Sequence, residues 1–259
     1  MGARHPDYVK QFGLGPEHIS ALIDIVQEWG DIEKRPDDDL FYAPVHAWRA
    51  LGRLRAVEAI DPFLAMRNAM REQQGSSWYL EEFHDIFGLI GPPAIPALAA
   101  FLADQQNTEY PRASTASGLR EIAKRHPETR SQVIEILTRQ LANNESGAYD
   151  LNALLIDNLV NLEAVESAEV IERAYAADVV DETIIDWPYV CRKLGVKGLG
   201  LMSERKKKAS RNMLPGFFPD HDISVPDQGD RDHQREREKK EKAKRKQQEK
   251  AKKRNRKKR

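Results

Sequence analysis

The chain has 259 residues, 40% of them apolar, with 41 Lys and Arg against 41 Asp and Glu; that is enough apolar material for a core in one or two domains. Its single cysteine, Cys191, excludes an internal disulfide framework and a Cys-rich zinc site, and fits a reducing compartment. The longest unbroken apolar run, Ala97 to Ala103, is too short for a bilayer, and the first residues lack the apolar centre of a secretory signal, so a cytoplasmic protein without a membrane partner is expected.

The balanced charge conceals a sorting along the chain. Residues 231–259 hold 17 Lys and Arg against 5 Asp and Glu, a net +12, so residues 1–230 carry −12. The acidity is densest between Glu145 and Asp186, where 11 carboxylates face one cation, Arg173. Such sorting bears on partners and solubility, not on fold.

Apolar residues recur at helical spacing from Pro16 onward. Ile19, Leu22, Ile23, Val26 and Trp29 mark a first helix, with Pro16 suited to its first turn; Asp31 to Asp39 is a polar loop. Helix pairs follow. Ala47, Trp48, Leu51 and Leu54 precede Ala59, Ile60, Phe63, Leu64 and Met70. Phe83, Ile86, Phe87 and Ile90 lead through Gly91-Pro92-Pro93 to Ile95, Leu98 and Leu102. Ala116, Leu119, Ile122 and Ala123 lead through His126-Pro127 to Val133, Ile134, Leu137 and Leu141. Leu151, Leu154, Leu155, Leu159 and Leu162 then precede Val170, Ile171 and Ala174.

Leu51, Phe87, Leu119 and Leu155 lie 36, 32 and 36 residues apart, a period of two-helix solenoid repeats. One amphipathic hairpin cannot bury its own stripe, but stacked hairpins bury each other's. The expected fold is therefore all-α, an α-α solenoid of about four helix pairs over residues 16–194. The helix from Pro16 and the segment Val180 to Leu194 would cap it, and residues 1–15 would be a flexible N-terminus.

The stretches LGRLRAVEAIDPFL and IGPPAIPALAAFL resemble HEAT repeats, especially the short variety of phycobilisome-lyase-like repeat proteins. There a first helix ends near Leu-Gly, a short break follows, and Ala-Ile opens the second helix. The stretch from Pro44 to Leu194 is also similar to an uncharacterised family of bacterial HEAT-repeat proteins. The third and fourth pairs lack the Gly and Ala-Ile signature and keep only the spacing. The resemblance implies a helical-repeat fold; on the lyase side it implies a bilin-lyase-like protein, to be tested by a chromophore or acceptor assay.

Residues 195–230 have linker composition, with Gly198, Gly200, Pro215, Pro219 and Pro226 in a polar context. Residues 231–259 contain no large apolar side chain, so packing cannot offset the entropy of ordering them, and a disordered basic tail is expected. Lys244, Arg245, Lys246, Lys252, Lys253, Arg254, Arg256, Lys257, Lys258 and Arg259 are its candidate phosphate contacts. Without aromatic residues the run cannot stack on bases, so its nucleic-acid binding would be salt-sensitive and sequence-independent. The same run could instead mask the acidic 145–186 segment, tethered through a linker of roughly 35 residues.

No catalytic constellation is present. Glu81 and His84 form one Glu-x-x-His unit, and a carboxylate-bridged di-metal site needs a second, so a solvated helix face is the reading. Gly195-x-x-Gly198-x-Gly200 follows an expected helix, not a strand, and reads as a helix exit instead of a phosphate loop. Cys191 reads as a structural thiol, Trp48 as core, and Asn158, on an apolar face, as a packing amide that needs partners from neighbouring backbone. Arg67, Arg71, Arg130 and Arg139 fall on second helices, which commonly line a solenoid's binding face, and are the candidate partner contacts. These features point to a non-enzymatic scaffold for an unidentified protein, without cofactor or metal, its tail adding electrostatic attachment. A nucleic-acid- or ribosome-associated factor is the alternative.

Overall fold

The structure is a computed structural model that describes residues 7–28, 40–69, 78–143, 147–197 and 200, with no side-chain account of 69 and 78–81. The chain divides into two units, residues 1–209 and 210–259, and the second lies outside the described residues. All regular secondary structure among the described residues is helical, without a strand. Helices are α1 (Tyr8–Phe12), α2 (Ile19–Gln27), α3 (Ala43–Leu54), α4 (Ile60–Ala69), α5 (Trp78–Ile90), α6 (Ile95–Ala103), α7 (Glu109–Arg125), α8 (Arg130–Ala142), α9 (Tyr149–Asn161), α10 (Ala168–Ala176) and α11 (Trp187–Leu194).

Each even-numbered helix is opened by a single 3-10 turn: Pro16–His18, Val57–Ala59, Pro92–Ala94, Pro127–Thr129 and Val165–Ser167. In each, the N–H of the next residue donates to the turn's first carbonyl, as Ile60 does to Val57 and Arg130 to Pro127. Proline suits the first position of three of these turns, where an N–H would have no acceptor. The turn is thus a recurrent corner that folds the second helix back on the first.

The odd helices α3, α5, α7 and α9 pack each on the next, and so do the even helices α2, α4, α6, α8 and α10. Contacts of α2 with α3, α6 with α7, and α8 with both α7 and α9 join the two sets. Trp48, Leu51, Phe63, Phe83, Phe87, Leu98, Leu119, Leu137 and Tyr175 are fully buried between them, each apolar side chain contributing about 1.5–3 kcal/mol. Phe63, Phe83 and Phe87 meet edge to face, with ring centroids 5.2 to 6.2 Å apart.

Small residues set how closely successive odd helices approach. A Cβ on Gly52 of α3 would lie 3.2 Å from Ile86 Cγ2 of α5. One on Gly118 of α7 would lie 3.1 Å from Phe87 Cδ2 and 3.4 Å from Leu98 Cδ1.

Three expectations become more specific. Within the supposedly flexible residues 1–15, Tyr8–Phe12 is a helix, capped by Asp7 and docked through Tyr8, which is 7% exposed. In the segment Val180 to Leu194 the helix starts at Trp187, where Asp186 accepts the Tyr189 N–H and Pro188 fixes the first turn. Asn158 is buried, but its Nδ2 donates to Leu154 O in its own helix instead of to a neighbouring repeat. The loop expected at 31–39 lies outside the described residues.

Substituting Gly118→Val should lower stability by about 1–3 kcal/mol through overpacking against Phe87, read as a lower urea midpoint by circular dichroism. Arg55 ends α3 in the left-handed region at φ 53°; Arg55→Gly should raise stability by about 0.5–1 kcal/mol in the same assay, since glycine adopts that conformation without Cβ strain.

Candidate functional site

The four arginines proposed as partner contacts take different places. Arg67 is 6% exposed, and its Nε donates to Ser114 Oγ at 3.0 Å, tying α4 to α7; burial pushes its pKa down. It faces the interior, where a partner does not reach it. Arg130 closes the C-terminal end of α9: its Nε and Nη2 donate to Leu162 O at 3.1 and 2.9 Å, and Nη2 also to Glu163 O at 3.0 Å. A cation beside the last carbonyls of a helix is favourable, and here it also holds Glu163, whose φ is 54°. Its Nη1 reaches Glu166 at 3.0 Å. Of the three described arginines Arg139 is the most exposed, its side chain 69% exposed and paired with Glu135 at 2.8 Å on the same helix. Arg71 lies outside the described residues, as do all ten tail positions from Lys244 to Arg259.

Arg139 borders an open groove of about 540 Å³ between α8 and the turn that opens α10. Ile134 and Ala142 supply apolar surface, Thr138 and Ser167 meet hydroxyl to hydroxyl at 2.7 Å, and Glu135, Arg139 and Glu166 stand at the rim. Val165 beside it is 51% exposed. The groove was not legible in the sequence, because Ser131, Thr138 and Ser167 carry no periodic signal and meet only when α8 and α10 pack.

A second polar region follows the odd helices. Tyr8 Oη and His46 Nδ1 lie 2.9 Å apart, and Arg49 grips Glu82 through Nε and Nη2 at 2.7 and 2.9 Å, joining α1, α3 and α5. Arg125 of α7 reaches Asp85 of α5 at 3.3 Å, and Arg120 reaches Asp157 of α9 at 3.8 Å. Glu121, 8% exposed, accepts from Arg120 Nε and Lys124 Nζ at 3.2 and 3.3 Å. His84 sits half-buried among Asp85, Arg120, Glu121 and Lys124. Burial lowers its pKa most; Arg120 and Lys124 lower it further, against the opposite pull of Asp85 and Glu121.

Among the described residues no three His, Cys, Asp or Glu side chains gather as a metal site, and no single helix is long and apolar enough to cross a membrane. Trp48 is fully buried. Cys191 is half-buried, and its thiol pKa is raised first by burial and then by Glu172. Gly195 ends α11 in the left-handed conformation at φ 68°. Comparison with protein-family models, with curated proteins and with solved structures finds no match to the chain.

His84 gives a pH prediction with a definite sign. Its folded pKa lies below the unfolded value of about 6.5, so the stability it contributes is full above that value and is lost as pH falls from it through the folded pKa. Between about pH 7.5 and 5.5 the urea midpoint of the protein should fall more than that of His84→Gln. Equal falls would place the acid sensitivity elsewhere.

Proposed function

We propose that the chain is a HEAT-like α-solenoid that serves as a non-enzymatic scaffold for a protein partner, its Lys/Arg-rich run adding electrostatic attachment. The successive packing of odd and even helices and the recurrent 3-10 corner support the solenoid reading. The groove beside Arg139 carries the binding reading. Its apolar floor, hydroxyl pair and mixed-charge rim suit a polypeptide side, with both apolar and polar groups to bury. The rim ion pairs Glu135–Arg139 and Arg130–Glu166 have side chains 37% to 72% exposed. Exposed pairs of this kind contribute about 0.2–1 kcal/mol, so a partner's charges can replace them at small cost.

A second reading, a nucleic-acid-associated factor, is favoured by the 17 cations among residues 231–259. Neutralising several phosphates would give an affinity that falls steeply with salt.

The test is affinity capture with cross-link mapping on the full chain, followed by binding measurements with the captured partner. Ala142→Arg and Arg139→Glu should each weaken that partner by roughly tenfold or more, while a chain ending at Asp230 keeps it. If cross-links avoid α8 and both variants bind as the parent does, the groove is not the binding surface. Fluorescence anisotropy of labelled RNA and duplex DNA over a salt series tests the second reading. Binding that persists near physiological salt and vanishes on ending the chain at Asp230 would favour it.

A further inference from the structure

Six of the chain's seven tyrosines lie where odd helices begin, Tyr8 as the first residue of α1. Tyr42 immediately precedes α3, Tyr79 is the second residue of α5, Tyr110 the second of α7, Tyr149 the first of α9 and Tyr189 the third of α11. Helix α11 packs on α9, as the next odd helix would. Burial separates four of these from Tyr8 and from Tyr175 of α10: Tyr8 and Tyr175 are 7% and 0% exposed, whereas Tyr42, Tyr110, Tyr149 and Tyr189 are 51%, 54%, 46% and 36% exposed. A tyrosine used for packing is buried. Large aromatic rings held partly in solvent at the starts of α3, α7, α9 and α11 serve no core, and such residues are enriched where proteins meet.

Three of these helix starts form one continuous edge. Tyr110 Oη donates to Asp150 Oδ2 at 3.0 Å, Leu151 N–H donates to Glu109 Oε2 at 3.4 Å, and Asp181 N–H donates to Tyr149 O at 3.3 Å, just ahead of α11. A cleft of about 590 Å³ opens between the starts of α7 and α9, with Gln105, Asn107, Thr108, Glu109 and Gly147 in its lining. Arg112 also lines it, but is 3% exposed and donates Nε to Leu102 O. Carboxylates converge on the edge. The Tyr110 hydroxyl pKa is raised first by its hydrogen bond to Asp150, and also by the charges of Asp150, Glu109 and Asp181.

Ring faces flanked by carboxylates attract cationic side chains and repel phosphates. One ring of the row already carries cations, with Arg192 Cζ and Lys193 Nζ 5.8 and 5.7 Å from the centroid of Tyr189. We propose that this tyrosine edge docks a Lys/Arg-rich segment of a partner polypeptide, whose cations stack on Tyr110 and Tyr149 and pair with Glu109, Asp150 and Asp181. The proposal rests on the reading of the chain as a protein-binding array, but concerns a surface separate from the groove beside Arg139.

The experiment is fluorescence anisotropy of labelled octa-arginine titrated with the full chain at low salt. The parent should bind, Tyr110→Ala with Tyr149→Ala should weaken binding by about tenfold, and the matching pair of Phe substitutions should retain it, because the ring face and not the hydroxyl holds the cation. All three chains should give superimposable circular dichroism, as these side chains are largely exposed. Loss in the Phe pair equal to that in the Ala pair, equal binding by the parent and the Ala pair, or no binding by the parent overturns the proposal. So does tyrosine-dependent binding of a single-stranded RNA in place of the peptide. Ala142→Arg, in the groove, should bind octa-arginine as the parent does, so failure of the edge and failure of the groove are read separately.

Discussion

The structure depends on the close approach of successive odd helices. Gly52 and Gly118 remove the side chains that would otherwise hold α3, α5 and α7 apart, and Ile86 and Phe87 fill the space they leave. At that separation the apolar stripe of each helix is covered by its neighbours on both sides, which no single hairpin achieves alone. The 3-10 corners follow from the same constraint. Each must return the chain to the second row within a few residues, and a proline at the start of three of them limits the backbone to the required turn.

Polar contacts act as register marks on this apolar frame. Arg49 with Glu82, Arg125 with Asp85 and Arg120 with Asp157 each join one odd helix to the next. Arg130 joins α8 to the end of α9, and Arg67 joins α4 to α7. Partly exposed pairs add little to stability one by one, yet each is satisfied in only one alignment of its two helices. Arginines that reach across helices thus fix alignment, whereas Arg139 pairs within its own helix.

Much of the fold was legible in the sequence because its signals are local. Apolar spacing marked the helices, and Pro92, Pro127 and Gly91 marked the breaks, since backbone restrictions act within a turn or two. Helix α1 was not legible, because five residues are too short a run to establish a period and only Tyr8 among them is buried; its docking depends on His46, 38 residues away. The site was less legible for the same reason. Placing Arg67, Arg130 and Arg139 on second helices followed from spacing, but which of them points outward depends on Ser114, Leu162 and Glu135, and only the last is a local neighbour. The tyrosine row lies in plain view in the sequence at intervals of 37, 31, 39 and 40 residues. Its meaning needed burial, because spacing alone does not tell an exposed ring from a buried one.

If each helix pair is held chiefly by its neighbours, native-state hydrogen exchange measured helix by helix will show it. Protection should be graded, greatest in α5, α7 and α9, which have packed neighbours on both sides, and least in α1 and α11. A single opening free energy shared from α1 to α11 would instead mean that the helices form one indivisible core and not a row of neighbour-supported pairs.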